Sequence, residues 1–493
     1  MNRTRRGNPA EVSRTPPSDV PLFGGTITDG WEPMPATPHP ATENADVAER
    51  AAEHRQALSA RFPESAIVVP SGHLVTRAND MPYPFRPSSW FAWLTGEPAA
   101  ESVLVMTPTT TGHHARLFIR TNASPGTPDY FLDPLHGGAW TGTATSTRQT
   151  AAALRISTRD RRELRDSLAE LPGSVLLLRG QDPLVDEALP EAHPGALPLV
   201  LDELRLIKDE SEVRELRRAC AATARGFADI VRELPLVTQD GFERGERWLE
   251  GTFWRRARLE GNDVGYTSIV AAGRHGTALH WWRNDGAVRP GQLLLADMGV
   301  ETDQFYTADV TRTLPVDGIW SEVQLRVYRA VLEAQEAAVA ESVAGADFEA
   351  GHFAAMWVLA DHLHHWGLIT ASADDCLSPD LTRPGAGAHR RYTLHRTSHM
   401  LGLDVHDCAQ ARSEDYELAT LRPGMTMTVE PGLYFQTNDT TVPGPFQGLA
   451  VRIEDDYVVS EGKPVHLSDD VPRDPAALLG WMSDCLNSTE LPQ

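Results

Sequence analysis

Residues 392–407 read YTLHRTSHMLGLDVHD and carry three histidines, His395, His399 and His406, among small and apolar residues. Strand-like segments with acidic residues flank this stretch. Upstream, QLLLADMG (292–299) and FYTADVTRTL (305–314) hold Asp297 and Asp309. Downstream, MTMTVEPGLYF (425–435) and LAVRIEDDYVV (449–459) hold Glu430 and Glu454. Leu293, Leu294 and Leu295 suit the middle of a buried strand, so the charge at Asp297 must be paired, hydrogen-bonded or bound to a cation. Period-two alternation puts Glu430 on one strand face with Thr426 and Thr428, and Pro431 and Gly432 end that strand. It also puts Arg452 beside Glu454, with Val451 and Ile453 opposite. Taken singly, these residues have ordinary readings as turn aspartates, a solvated ion pair and structural histidines. His395 and His399 fit one helix face or a loop equally. Taken together, four strand-borne carboxylates and one histidine form an oxygen-rich donor set without thiolate, suited to hard or borderline divalent ions and favouring manganese. Four carboxylates offset two such ions and leave room for a bridging hydroxide, which ions ~3.5–4 Å apart can hold while polarising a carbonyl. H-E-x-x-H is absent, so this is not a zincin helix.

The chain has 493 residues, too many for one small core, and two domains are expected. Its formal charge of −23, from 45 basic and 68 acidic residues, argues against nucleic-acid and acidic-membrane partners. Cys220, Cys376, Cys408 and Cys485 lie far apart and form no C-x-x-C pair, which fits a reducing compartment. No apolar run approaches the ~20 residues of a membrane span. Arg3, Arg5 and Arg6 are followed by no apolar segment, so they do not read as an export signal. A cytoplasmic protein is expected.

Residues 1–45, rich in Pro, Thr, Gly and Asp, are expected to form a mobile arm, with Phe23 and Trp31 as its exceptions. Residues 46–200 alternate helical patterns, such as 159–170, with the apolar runs SAIVVP (65–70), SVLVM (102–106) and SVLLL (174–178), which predicts an α/β domain. It contains no phosphate loop and no nucleophile elbow. The segment 201–231 marks the boundary, with Asp209 or Ser211 as a helix cap. Further helices are expected within 242–260, 321–343 and 349–367. Between and after them come strand-like runs with antiparallel-type alternation, so 201–493 reads as α+β.

In chain order, GTALHW around His280, DMG at Asp297, ADVTRTLP at Asp309, LHRTSHMLGLDVHD, TVEPGLY and VRIEDD resemble aminopeptidase P, the Xaa-Pro aminopeptidases of the pita-bread metallopeptidase family. TRANDMPYPFRPSSWFAWLTG (76–96) extends the resemblance to that family's N-terminal domain. The resemblance implies an α/β creatinase/aminopeptidase P-like N-terminal domain and an α+β pita-bread catalytic domain. It implies two divalent metal ions bound by Asp297, Asp309, His399, Glu430 and Glu454, with Asp309 and Glu454 bridging. Glu430 would also shuttle a proton. His280, His395 and His406 would line the substrate site, Arg452 would orient Glu454, and Tyr434 is a weaker supporting candidate. The implied reaction is hydrolysis of the first peptide bond in peptides with proline second, by a homodimer or homotetramer. Prolidase, which cleaves Xaa-Pro dipeptides, is the alternative within the family, and a non-catalytic pita-bread binding module is the alternative outside catalysis. Three positions depart from the family's commonest wording. The Asp297–Asp309 spacing, 309 − 297 = 12, is one longer than usual and suggests a bulged hairpin; Met298 replaces alanine; Gln447 stands where arginine is common.

Overall fold

The computed structural model describes residues 39–43, 46–123, 127, 129–142 and 144–488. The expected arm, with Phe23 and Trp31, lies outside the described residues as far as 38. Its described end is packed rather than loose: His39 is buried, with Nε2 3.1 Å from Glu97 Oε2.

The first domain is built on a five-stranded mixed sheet. Its strands are β1 (Ala66–Pro70), β2 (Val103–Thr109), β3 (Gly112–Ile119), β4 (Ser157–Asp160) and β5 (Val175–Leu177). They lie in the order β4-β3-β2-β1-β5, with β3–β4 and β1–β5 parallel. Helix α1 (Asp46–Arg61) buries Val47, Ala51 and Leu58 against this domain. The helix expected over 159–170 starts later, at Leu164, because the Asp160 carboxylate accepts from the Arg162 amide and holds a turn after β4.

The boundary segment breaks at 206–209 into α2 (Leu197–Arg205) and α3 (Glu210–Val237). Asp209 caps α3: its carboxylate accepts from the Ser211 and Glu212 amides, and Glu212 reaches back to the Asp209 amide. Helices α4 (Gly245–Glu260), α5 (Glu322–Glu341) and α6 (Phe348–His365) follow close to expectation. Phe227 and Ile230 of α3, Phe253 of α4, Val331 of α5 and Leu359 of α6 share one core with the apolar faces of the catalytic strands.

Those strands form short antiparallel units. β6 (Ile269–Ala272), β7 (Leu293–Met298) and β8 (Val310–Pro315) make one sheet with β7 central. β9 (Thr426–Val429) pairs with β12 (Asp455–Val458), and β10 (Gly432–Tyr434) with β11 (Ala450–Arg452). The long strand-like runs of the sequence are therefore interrupted. Pro431 cannot donate to a ladder and separates β9 from β10. The run that opens at Phe305, with φ +68°, becomes strand only from Val310 of β8. The β7–β8 ladder keeps one register from Leu293↔Pro315 to Met298↔Val310, so the expected bulge is absent from it. The long spacing is taken up by the loop between the two strands, where Glu301 pairs with Thr307. Hydrogen bonds lace β8 to the later strands: Thr313 Oγ1 donates to the Arg452 carbonyl (2.9 Å), and the Glu454 amide donates to the Thr311 carbonyl (3.1 Å). Arg312, fully buried, pairs with Asp455 at 2.7 Å. No helix among the described residues is long and apolar enough to cross a membrane.

One buried ion cluster ties the domain linker to the histidine stretch. Asp407, next to His406, accepts from Lys208 Nζ at 2.9 Å and from Arg205, with all three side chains nearly inaccessible. Arg205 and Lys208 outweigh the effect of burial and hold the Asp407 carboxyl down at about 2. Removing Asp407 strands the buried Lys208 without its ion-pair partner and leaves Arg205 with Asp202 and Asp404 alone. Asp407→Ala should lose about 3–5 kcal/mol in urea unfolding with an unchanged denaturant slope; a loss below about 1 kcal/mol would contradict the role given to the cluster.

Candidate metal centre and substrate cavity

The four candidate carboxylates sit at or beside strand ends. Asp297 lies near the end of β7, opposite Thr311. Asp309 immediately precedes β8, Glu430 follows β9, and Glu454 lies between β11 and β12. His399 is on neither a helix nor a strand. It lies in an extended loop laid along β9, where the Thr428 amide donates to the His399 carbonyl at 3.0 Å and the Glu430 amide to the Thr397 carbonyl at 2.8 Å. The choice left open by the four-residue histidine spacing is thus settled as a loop. In the turn after it, Gly402 lies against Lys208 and Asp407, which leave no room for a side chain.

All five side chains meet. Ligand atoms of Asp309, His399 and Glu454 lie within 4.8 Å of one another. His399 Nε2 is 3.3 Å from Asp309 Oδ2 and 3.5 Å from Glu430 Oε1. Tyr266 Oη lies 2.6 Å from both Asp297 Oδ1 and Asp309 Oδ1, so a single phenolic proton serves two carboxylates. The five line a cavity of about 810 Å³ together with His280, His395, His406 and Arg452. The His406 ring meets His399 edge-on at 4.4 Å, and His280 stacks with Trp282 at 5.2 Å.

Arg452 does not reach Glu454 directly, as strand alternation had suggested. Its guanidinium binds Asp297, the Thr311 hydroxyl (3.1 Å) and Tyr434 Oη (3.1 Å), and Thr311 in turn donates to Glu454 at 2.6 Å. The alternation fails because β11 ends at Arg452 and the chain turns before β12. Tyr434 has a firmer place than its sequence signal gave it. His395 Nδ1 lies 2.8 Å from the Arg396 carbonyl, which can only accept, so in the neutral ring Nε2 accepts from Tyr434 at 2.8 Å. An ordered relay runs from Arg452 to Tyr434 to His395.

The electrostatics fit a cation site. Burial, followed by the neighbouring Asp309, Glu430 and Asp297, pushes the Glu454 carboxyl well above the usual carboxylate range. Burial raises Asp297 as well, against the pull of Arg452. Burial takes Glu430 to about 7, although His399 and Arg452 oppose it. For His399, burial works downward, but the hydrogen bond to Asp309 and the charge of Glu430 outweigh it and lift the imidazole to about 9. Acids packed this way resist ionising together until positive charge is supplied. The donor set, four carboxylates and one imidazole, is the kind that holds divalent ions. A second His–Asp–Glu group, His54, Asp209 and Glu212, differs: its acids form the α3 cap, and Glu212 also accepts from Trp93 and Tyr306.

Residues 214–461 match the M24 metallopeptidase family, and residues 51–177 match the aminopeptidase P N-terminal domain. The chain belongs to the M24 metallopeptidases, in the aminopeptidase P branch. Xaa-Pro aminopeptidase 1 of Streptomyces coelicolor is 46% identical over 443 residues, covering 89% of this chain and 88% of its own. Xaa-Pro aminopeptidase 2 of the same organism is 46% identical over 442 residues, covering 89% and 92%. Among solved structures, Pseudomonas aeruginosa aminopeptidase PepP superposes with a TM-score of 0.79 at 29% identity, covering 90% of this chain and 99% of its own. Escherichia coli aminopeptidase P with the inhibitor Pro-Leu gives 0.78 at 27%, with the same coverage. The expected fold, an aminopeptidase P-type first domain before a pita-bread domain, is the fold observed.

Sequence reasoning passed over two contributors to this M24 centre, Tyr266 and Thr311. Thr311 could have been found, since it lies two residues after Asp309 on a strand and so on the same face. Tyr266 lies before β6 with no pattern to mark it. Divalent cations should stabilise this centre by mass action. Chelator-treated protein should gain about 2.7 kcal/mol in unfolding stability when manganese is supplied at 100 times its dissociation constant; unchanged unfolding with manganese, cobalt and zinc would rule out the metal assignment.

Proposed function

We propose that the protein hydrolyses the first peptide bond of peptides with proline in second position, using two divalent metal ions, manganese by the chemistry of the donors. One observation carries the reading: Asp297, Asp309, His399, Glu430 and Glu454 converge on a single cavity in a chain akin to proteins named Xaa-Pro aminopeptidases. These five residues would hold the ions. When bound, the ions supply the positive charge that eases deprotonation of water and polarises the scissile carbonyl.

The chain's own groups do the rest. Glu430, 3.4 Å from His395 and 3.5 Å from His399, is placed to take the proton of the attacking water and pass it to the departing proline nitrogen. Burial keeps His395 neutral, at about 3, and lowers His406 also. The neutral His395, 3.4 Å from Glu430, can hydrogen-bond the reacting peptide without adding a competing cation, and His406, against His399, and His280, stacked with Trp282, line the same space. Arg452 fixes Asp297 directly and His395 through Tyr434. The bond before proline is a tertiary amide without an N–H, so a site that recognises the carbonyl and the ring suits it better than one gripping an extended backbone. The apolar wall formed by Leu279, Val405 and Ala409 offers such a surface. A cytoplasmic homodimer or homotetramer belongs to the same reading; the four cysteines are all free.

Glu430→Gln should lower kcat by at least about 100-fold on an Xaa-Pro tripeptide while circular dichroism stays unchanged. Turnover near that of wild type would remove its proton-shuttle role. A marked preference for Xaa-Pro dipeptides over tripeptides in the wild-type protein would replace the aminopeptidase reading with prolidase.

A further inference from the structure

The substrate cavity does not end at the histidine stretch. A second chamber of about 440 Å³ lies against helix α6 and shares Phe348, His395, Arg396 and Ser398 with the first. Its volume is that of a ligand site in its own right. Its far wall is apolar: Met356 is buried, whereas Phe353 and Leu394 are 51% and 62% exposed. Its polar side carries two guanidinium groups, Arg390 and Arg396, against one acid, Glu349. Arg390 has no carboxylate partner among the described residues. Arg396 stands 3.6 Å from Glu349 and 3.7 Å from Glu417, close enough for attraction but without a hydrogen bond to either. Such exposed, loosely held pairs contribute little, so the guanidinium donors are available. Burial, and then Arg396 itself, lower His352 to about 4, so that wall brings no further charge. A cationic spot beside exposed apolar side chains is unusual on a chain of formal charge −23.

We propose that this chamber receives the substrate downstream of its proline, and that Arg390 and Arg396 bind the terminal carboxylate of the peptide. The assignment rests on reading the first cavity as an exopeptidase site. An enzyme that removes one residue has a fixed amount of substrate on the amino side of the cut, and all variation in length falls on the carboxyl side. The second chamber opens off the first at His395, which is 3.4 Å from Glu430, so a chain leaving the reacting centre passes Arg396 as it enters. At ~3.3–3.6 Å per extended residue, a few residues beyond proline fill such a space. The carboxylate then meets planar donors able to bind both of its oxygens.

The test compares Xaa-Pro peptides of about three to six residues, each as the free acid and as the C-terminal amide. In the metal-loaded wild-type protein, KM should be lower for the acid than for the amide by about fivefold or more at one of these lengths. Arg390→Gln, read as the acid-to-amide KM ratio within the same variant, should bring that ratio towards unity, and Leu394→Ser should raise KM for the longer peptides relative to the tripeptide. Equal KM for acid and amide at every length, or an acid preference that survives both Arg390→Gln and Arg396→Gln, overturns the subsite while leaving the proposed hydrolysis standing. Failure to cleave any Xaa-Pro peptide overturns both.

Discussion

Four acids held out of water in one cavity repel one another, and most of this fold can be read as the means of keeping them there. Short antiparallel strands suit the task because each delivers its carboxylate at an end, where the backbone turns away and side chains from different sheets can converge. Helices α3 to α6 back those strands with a continuous apolar core, and the charged groups line the cavity. Like charges this close are stable only with partners. The chain supplies some through Arg452, Tyr266 and His399, and leaves the balance to cations.

The supporting groups are arranged as a hierarchy. Arg452 is shared between Asp297, Thr311 and Tyr434, and Tyr434 in turn donates to His395, whose tautomer the Arg396 carbonyl fixes. Asp297 and His395 are thus aligned by one buried guanidinium. Thr311 and Thr313 tie β8 to the strands carrying Arg452 and Glu454, so the aspartate half and the glutamate half of the centre cannot shift independently.

Much of this was legible in the sequence. Asp297 after three leucines, Glu430 before Pro-Gly, and three histidines among small residues are local anomalies that require an explanation; they pointed to the candidate carboxylates, while the choice of His399 among the histidines came from the family resemblance. Strand boundaries were harder to read. Pro431 divides a run whose composition looks continuous, the run that opens at the left-handed Phe305 becomes strand only from Val310, and the break after Arg452 redirected its guanidinium from Glu454 to Asp297. Tyr266 and the second chamber were not readable at all. Their significance comes from tertiary neighbours far away in the chain, and neither residue type nor spacing records those.

The cations that neutralise Asp407 have a consequence for how the chain can be divided. Arg205 and Lys208 belong to the linker, upstream of the 214–461 region that matches the M24 family. A fragment cut at the edge of that match would keep the acid next to His406 and lose both of its counter-ions. The catalytic half is therefore electrically incomplete when excised, and the linker is better regarded as part of the enzyme's interior than as a tether between two parts.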